Sequence, residues 1–177
     1  KDLARLARKV ARANNITATV YGEAAMKKFK MGSLLSVAAG SDEEAQLIHL
    51  KYKPSGRKKK VKKIVLAGKG ITFDSGGLSL KPGHHMDNMK MDMAGAATVL
   101  GVVRCLALLK AKCNVVAYMG LAENMVDGNS YRLGDVIETR SGQTIEIHNT
   151  DAEGRVVLAD VLDVAAEAAP EAIVDLA

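Results

Sequence analysis

Asp151 and Glu153 stand two residues apart in the run Asn149-Thr150-Asp151-Ala152-Glu153-Gly154-Arg155, which a glycine and an arginine close. Upstream, Lys69 and Asp74 sit in the glycine-rich stretch Gly68-Lys69-Gly70-Ile71-Thr72-Phe73-Asp74-Ser75-Gly76-Gly77, and Lys81 and Asp92 follow. Four carboxylates beside two lysines and an arginine suit a site that holds hard divalent cations and handles an oxyanion. A carboxylate set without cysteine, and with no histidine required, favours Mg, Mn or Zn over copper or iron–sulfur chemistry. Two ions about 3.5–4 Å apart can share a bridging carboxylate and a bridging water. In an extended segment residues i and i+2 point to one side, so Asp151 and Glu153 are expected to face one site. A lysine ligates a metal only as the neutral amine, so burial beside dications is expected to depress Lys69 from its ordinary pKa of about 10.4.

The elements that must position these groups follow from periodicity. Residues 1–13 carry apolar side chains at 3, 6, 7 and 10, a helical stripe. A short strand is expected at 16–21, a second short helix at 23–29 and a loop at 30–33. Strands are expected at 46–53 and 61–67, joined through the turn signal Pro54-Ser55-Gly56. The stretch 68–86 has no sustained period and reads as a long loop, placing Lys69 and Asp74 just beyond a strand end. A long helix is expected over 87–110, with Asp92 near its start. A strand at 114–121, a hairpin of 135–139 with 144–148, a helix at 154–169 and a strand at 172–176 complete the order. Strands alternating with helices predict an α/β fold with a mixed, largely parallel central sheet flanked by helices. In such sheets ligands bind at the carboxyl ends of the strands, where three separate segments would bring the acids together.

Composition sets the class. At 177 residues the chain is the length of one domain, and with 3% aromatics and no Trp its core must be built from Ala, Val, Leu, Ile and Met. Arg57, Lys58, Lys59, Lys60, Lys62 and Lys63 outweigh the whole net charge of +5, so the basicity is local. Such a run between two strands reads as a solvated hairpin tip, with a polyanion-binding patch as the alternative. Cys105 and Cys113 make no disulfide framework and read as two buried free thiols, which favours a reducing compartment. No apolar stretch is expected to reach the ~18 residues of a membrane span. The chain begins at Lys1 in mid-helix and reads as part of something longer.

The remaining candidates have plainer readings. His84 and His85 resemble a metal pair, but adjacent side chains are expected to diverge. His49 and His148 are expected to be satisfied sheet residues. Met86, Met89, Met91 and Met93 read as helix packing, and Gly68-Lys69-Gly70 lacks the spacing of a phosphate loop.

Together, 68–82, 89–100 and 149–158 closely resemble the leucyl aminopeptidase (cytosol aminopeptidase) family, and the likeness extends to Met31-Gly32-Ser33-Leu34-Leu35 and Ala122-Glu123-Asn124-Met125. The resemblance implies a dinuclear-metal aminopeptidase that releases leucine-like N-terminal residues from peptides by metal-activated water. It implies one Mn or Zn ion on Lys69, Asp74, Asp92 and Glu153, and a second on Asp74, Asp151 and Glu153. It further assigns Lys81 and Arg155 as the catalytic pair, Arg155 holding a bicarbonate, with Lys81 and Met89 against the substrate. A cytoplasmic homo-hexamer is implied, with no membrane partner and nucleic acid not expected. Residues 1–177 would be the N-terminal portion of the catalytic domain, with a domain before Lys1 and a large remainder after Ala177. The alternatives are a truncated metal-binding or scaffold fragment, and a polyanion binder acting through the 57–63 run. A fragment of this kind is expected to expose sheet edge and apolar surface.

Overall fold

The computed structural model describes residues 1–54 and 62–177. Five strands form one sheet in the order β1 (Thr17–Gly22), β2 (Gln46–Tyr52), β4 (Asn114–Asn124), β3 (Lys63–Asp74), β7 (Ala172–Leu176). β3 pairs in parallel with β4 and β7, β2 is antiparallel to β4, and β1 is antiparallel to β2. β2 is therefore the one reversed strand of the sheet, and the fold is α/β with a mixed, largely parallel sheet. A separate hairpin pairs β5 (Val136–Glu138) with β6 (Thr144–Glu146).

Both faces of the sheet are covered. α1 (Asp2–Ala13) and α5 (Ala94–Leu108) pack on the face that presents Ile48, Leu50, Leu66, Ala117 and Met119. The buried positions of α1 are Ala4, Ala7 and Ala11, while Leu6 is 49% exposed. The expected stripe at 3, 6, 7 and 10 is thus rotated onto alanines, whose small side chains let the helix approach the sheet closely. On the other face lie α2 (Glu23–Lys28), α3 (Gly32–Ala38) and α6 (Glu153–Glu167), against Leu47, Val65, Ala67 and Ile71.

Several expectations are corrected here. β3 runs on to Asp74, because its ladder with β4 continues through Ile71 and resumes, after a bulge, at Asp74 and Asn124. Only 75–82 then remains loop, and α4 (Gly83–Met86) follows it. The long helix expected at 87–110 is broken: a 3₁₀ turn covers Met89–Met91, α5 begins at Ala94, and Asp92 lies in the break. Gly83–Leu108 as a whole is one helical stretch long and apolar enough by composition to cross a membrane, contrary to expectation. It is made of these three pieces, and Gly95, Ala96, Val99, Leu100 and Val103 are buried against the sheet. The loop expected at 30–33 ends at Gly32, where α3 starts.

The thiols are not both buried: Cys105 is exposed and Cys113 half-buried. The His84 and His85 rings do not diverge but pack at 4.2 Å between centroids. His148 lies outside β6 and is exposed. Arg57, Lys58, Lys59 and Lys60 of the basic run, with Ser55, Gly56 and Val61 beside them, lie outside the described residues. Lys62 pairs with Glu171 at 2.8 Å, and the Lys63 amine donates to the Ala168 carbonyl. β7 is the outer strand beside β3, with Ile173 and Val174 exposed.

Candidate metal centre

The acids and lysines converge at the carboxyl end of β3. Lys69 projects from within that strand, Asp74 ends it, Lys81 comes from the following loop, and Asp92 from the break before α5. Asp151 lies in the 3₁₀ turn Thr150–Ala152, and Glu153 is the first residue of α6. The two acids therefore share a site through a 3₁₀-to-α junction, not through the extended segment expected from their spacing. Each lysine bridges two carboxylates. Lys69 Nζ is 2.8 Å from Asp92 Oδ1 and 3.3 Å from Glu153 Oε1. Lys81 Nζ is 3.0 Å from Asp74 Oδ2 and also pairs with Asp151 Oδ1. Asp74, Asp151 and Glu153 each offer an oxygen within 4.8 Å of the other two.

Burial makes this arrangement electrostatically tense. Glu153 is 2% exposed and its Oε2 has no hydrogen-bond partner; Asp92 Oδ2 is likewise buried and unpartnered. Loss of water and the neighbouring Asp74 charge push the Glu153 carboxyl up to about 7, with Lys69 opposing. Burial works to lower both lysines, yet both are raised: Asp92 and Glu153 outweigh it at Lys69, Asp151 and Asp74 at Lys81. The depression expected of Lys69 is thus not produced by the protein's own groups, because the carboxylates are the nearest charges. A buried acid cluster with orphaned oxygens fits hard cations, which would satisfy those oxygens and relieve the repulsion among them.

A second layer holds the acids in place, and the sequence did not reveal it. Asp74 Oδ1 accepts from Asn124 Nδ2 at 2.8 Å and from the Gly76 N–H at 2.9 Å, which leaves Oδ2 to face Lys81. Asn124 also donates to the Thr150 carbonyl, which accepts from the Tyr131 hydroxyl as well. Thr150 Oγ1 donates to the Gly76 carbonyl at 2.6 Å and accepts from Ser79 N–H at 2.7 Å, tying the 75–82 loop to the turn that bears Asp151. Gly76 and Gly77 have φ of +86° and +62°, and a Cβ on Gly77 would meet Thr150 Oγ1 at 2.9 Å. Gly154 is required for space, not for the turn expected there: a Cβ would lie 2.7 Å from Lys69 Cδ. The paired glycines were the one legible sign of this layer.

Two expected site residues stand apart from the cluster. Arg155 is exposed on the first turn of α6 and makes no ion pair among the described residues. Met89 is half-buried in the 3₁₀ turn before Asp92. A cavity of about 750 Å³ lies between the start of α1 and the residues Glu43, Thr72, Met93 and Glu123, and none of the five expected metal ligands lines it. His49, expected to be a satisfied sheet residue, is 8% exposed with Nε2 unpartnered.

Fold and site together define an α/β protein with a buried carboxylate–lysine centre at the carboxyl edge of its sheet. The chain belongs to the cytosol aminopeptidase family, whose catalytic domain matches residues 1–177. It is 54% identical over 174 residues to a protein of Rhodopirellula baltica named "Probable cytosol aminopeptidase", covering 98% of this chain and 34% of that one. A protein of the same name from Aquifex aeolicus is 51% identical over 175 residues, 99% of this chain and 35% of that one. The chain thus spans about a third of the length of these curated relatives.

Proposed function

We propose that the protein is a dinuclear-metal aminopeptidase of the cytoplasm, acting on peptides with apolar, leucine-like N-terminal residues, and that residues 1–177 are the N-terminal portion of its catalytic domain. The observation that carries this reading is the meeting of Asp74, Asp151 and Glu153 within 4.8 Å, two of them buried, with Glu153 Oε2 unpartnered. Lys69, Asp74, Asp92, Asp151 and Glu153 would hold two Mn²⁺ or Zn²⁺ ions. When bound, the ions supply Lewis acidity and a water of lowered pKa.

The side chains themselves divide the remaining work. The Lys81 ammonium, now shared by Asp74 and Asp151, exchanges one of them for the scissile carbonyl and donates charge-assisted hydrogen bonds as negative charge develops there. Asn124 and the Gly76 N–H hold Asp74 in one orientation, the role that outer hydrogen bonds play around ligating carboxylates. Arg155, free of intramolecular ion pairs among the described residues, would bind a bicarbonate that carries the proton. Met89 offers an apolar wall to the first side chain. The family membership and the relatives' names support a peptide substrate and a cytosolic setting, and a homo-hexamer is proposed alongside them.

The test is hydrolysis of leucine-p-nitroanilide by the intact protein with Mn²⁺ or Zn²⁺, and its loss in Glu153→Ala. Metal uptake by calorimetry without turnover would overturn the peptidase reading in favour of a metal-binding scaffold.

A further inference from the structure

At the far end of α6 from Glu153, about 20 Å along the helix at 1.5 Å per residue, the same face of the sheet is left open. Side chains alternate along a strand, so Leu47, His49 and Lys51 of β2 share this face, and Lys53 continues the period. His49 stacks on Tyr118 with centroids 4.4 Å apart and planes at 23°, and faces Tyr21 at 6.5 Å and 25°. Phe29 meets Tyr21 edge-on at 5.2 Å. These four rings wall a cavity of about 230 Å³ whose charged groups are Arg140 and Glu167. A second cavity of about 370 Å³ shares Tyr118, Val164 and Glu167 with the first and is lined by Lys51, Lys53 and Lys63. The two form one groove, aromatic at one end and basic at the other, within the ~300–1,000 Å³ range of small-ligand clefts.

The charges in the groove are unequally committed. Glu167 is the one acid on its walls, and it is held by Arg140, which also pairs with Asp163. Lys63 donates to the Ala168 carbonyl. Lys51 and Lys53 are exposed and make no ion pair among the described residues. His49 is 92% buried by its 8% exposure, and its Nε2 has no hydrogen-bond partner, an unusual state for a buried polar atom. Burial and the Lys51 charge hold His49 at about 4, so near neutrality it is a flat neutral ring with one spare hydrogen-bonding atom.

We propose that this groove is a binding site, separate from the acid cluster, for a nucleoside monophosphate: its base against the Phe29 and Tyr21 rings at the open end of the aromatic cluster, its phosphate on Lys51 and Lys53. His49 and Tyr118 are stacked on each other and buried, so the rings open to a planar base are Phe29, 38% exposed, and the half-buried Tyr21. A phosphate is the anion whose charge matches a pair of uncommitted ammonium groups, and neither end alone accounts for both halves of the groove.

The experiment is equilibrium binding of AMP to the intact protein by calorimetry. The result expected is a single site with Kd below about 1 mM. Exchanging both exposed lysines, Lys51→Glu with Lys53→Glu, weakens it at least about tenfold, and so does removing the half-exposed ring in Phe29→Ala. Neither variant touches the core, and unchanged melting temperatures will show that both are folded. Binding unaltered by these variants, or inorganic phosphate binding as tightly as AMP, overturns the proposal. AMP binding lost in Glu153→Gln would assign the nucleotide to the acid cluster and likewise overturn it, whereas its retention there separates this site from the peptidase reading. A short oligoadenylate binding more than about tenfold tighter than AMP would overturn the mononucleotide assignment in favour of a single-stranded nucleic acid.

Discussion

Glu153 and Asp160 lie two turns apart on α6, and both are buried, at 2% and 0% exposure. Their surroundings are opposite. Asp160 has both oxygens satisfied by backbone donors, Oδ2 by Leu34 N–H at 3.0 Å and Oδ1 by Arg140 N–H at 2.8 Å. It fastens the start of α3 and the end of the β5–β6 hairpin to the helix, which is a structural task. Glu153 has an oxygen with no partner, two further carboxylates within 4.8 Å and a carboxyl raised to about 7. A buried acid with both oxygens hydrogen-bonded stabilises a fold; one crowded by like charges waits for a cation. Burial alone does not separate the two, and the partners do.

The sharpest way to break this comparison is to remove each acid in turn. Glu153→Ala is expected to lower kcat/KM on leucine-p-nitroanilide by at least about a hundredfold. The metal-free Glu153→Gln protein, which keeps the side-chain volume and leaves Lys69 paired with Asp92, should melt no lower than the parent, because the crowding charge is gone. A melting temperature several degrees below the parent would show that Glu153 is structural after all. Asp160→Ala is expected to do the reverse, costing about 2–4 kcal/mol in urea unfolding as two buried N–H groups lose their acceptor.

His49 extends the contrast to a ring whose Nε2 has no hydrogen-bond partner and whose nearest charge of its own sign is Lys51. Its folded pKa of about 4 lies below the unfolded value of 6.5, so the unfolded chain binds the proton first as pH falls. Stability from this group is complete above pH 6.5, declines through that window and is gone below about 4. The loss is on the order of 1–3 kcal/mol after allowance for solvent screening. Urea midpoints for His49→Phe should show a flatter slope between these pH values, and an unchanged slope would remove His49 from the account.

The smallest effects concern glycines. Gly154→Ala pushes a methyl against Lys69 and is expected to cost about 1 kcal/mol, with weaker Mn²⁺ uptake by calorimetry. Gly101→Ala, exposed in α5 with nothing within 4 Å of the added carbon, is expected to stabilise by up to about 1 kcal/mol and leave metal uptake unchanged. If both glycines respond alike, the close approach of Lys69 to α6 is not what fixes Gly154.

The chain itself determined the α/β class, most strands, and the identity of the groups that meet at the acid cluster. Lys69, Asp74, Lys81, Asp92, Asp151 and Glu153 stand out by residue type and by the glycines around them, and such chemistry is carried in the letters. Tertiary structure alone decided how they meet. Asp74 remains in a strand because β4 continues beside it, and Asp92 is presented by a break where apolar spacing predicted unbroken helix. Asn124, Thr150 and Tyr131 carried no local pattern because their partners are 19 to 50 or more residues away. Asp160 and His49 make the same point: periodicity places a residue on the inner face of a helix or strand, but the groups that satisfy or isolate it come from other segments, brought there only when the sheet and its helices pack.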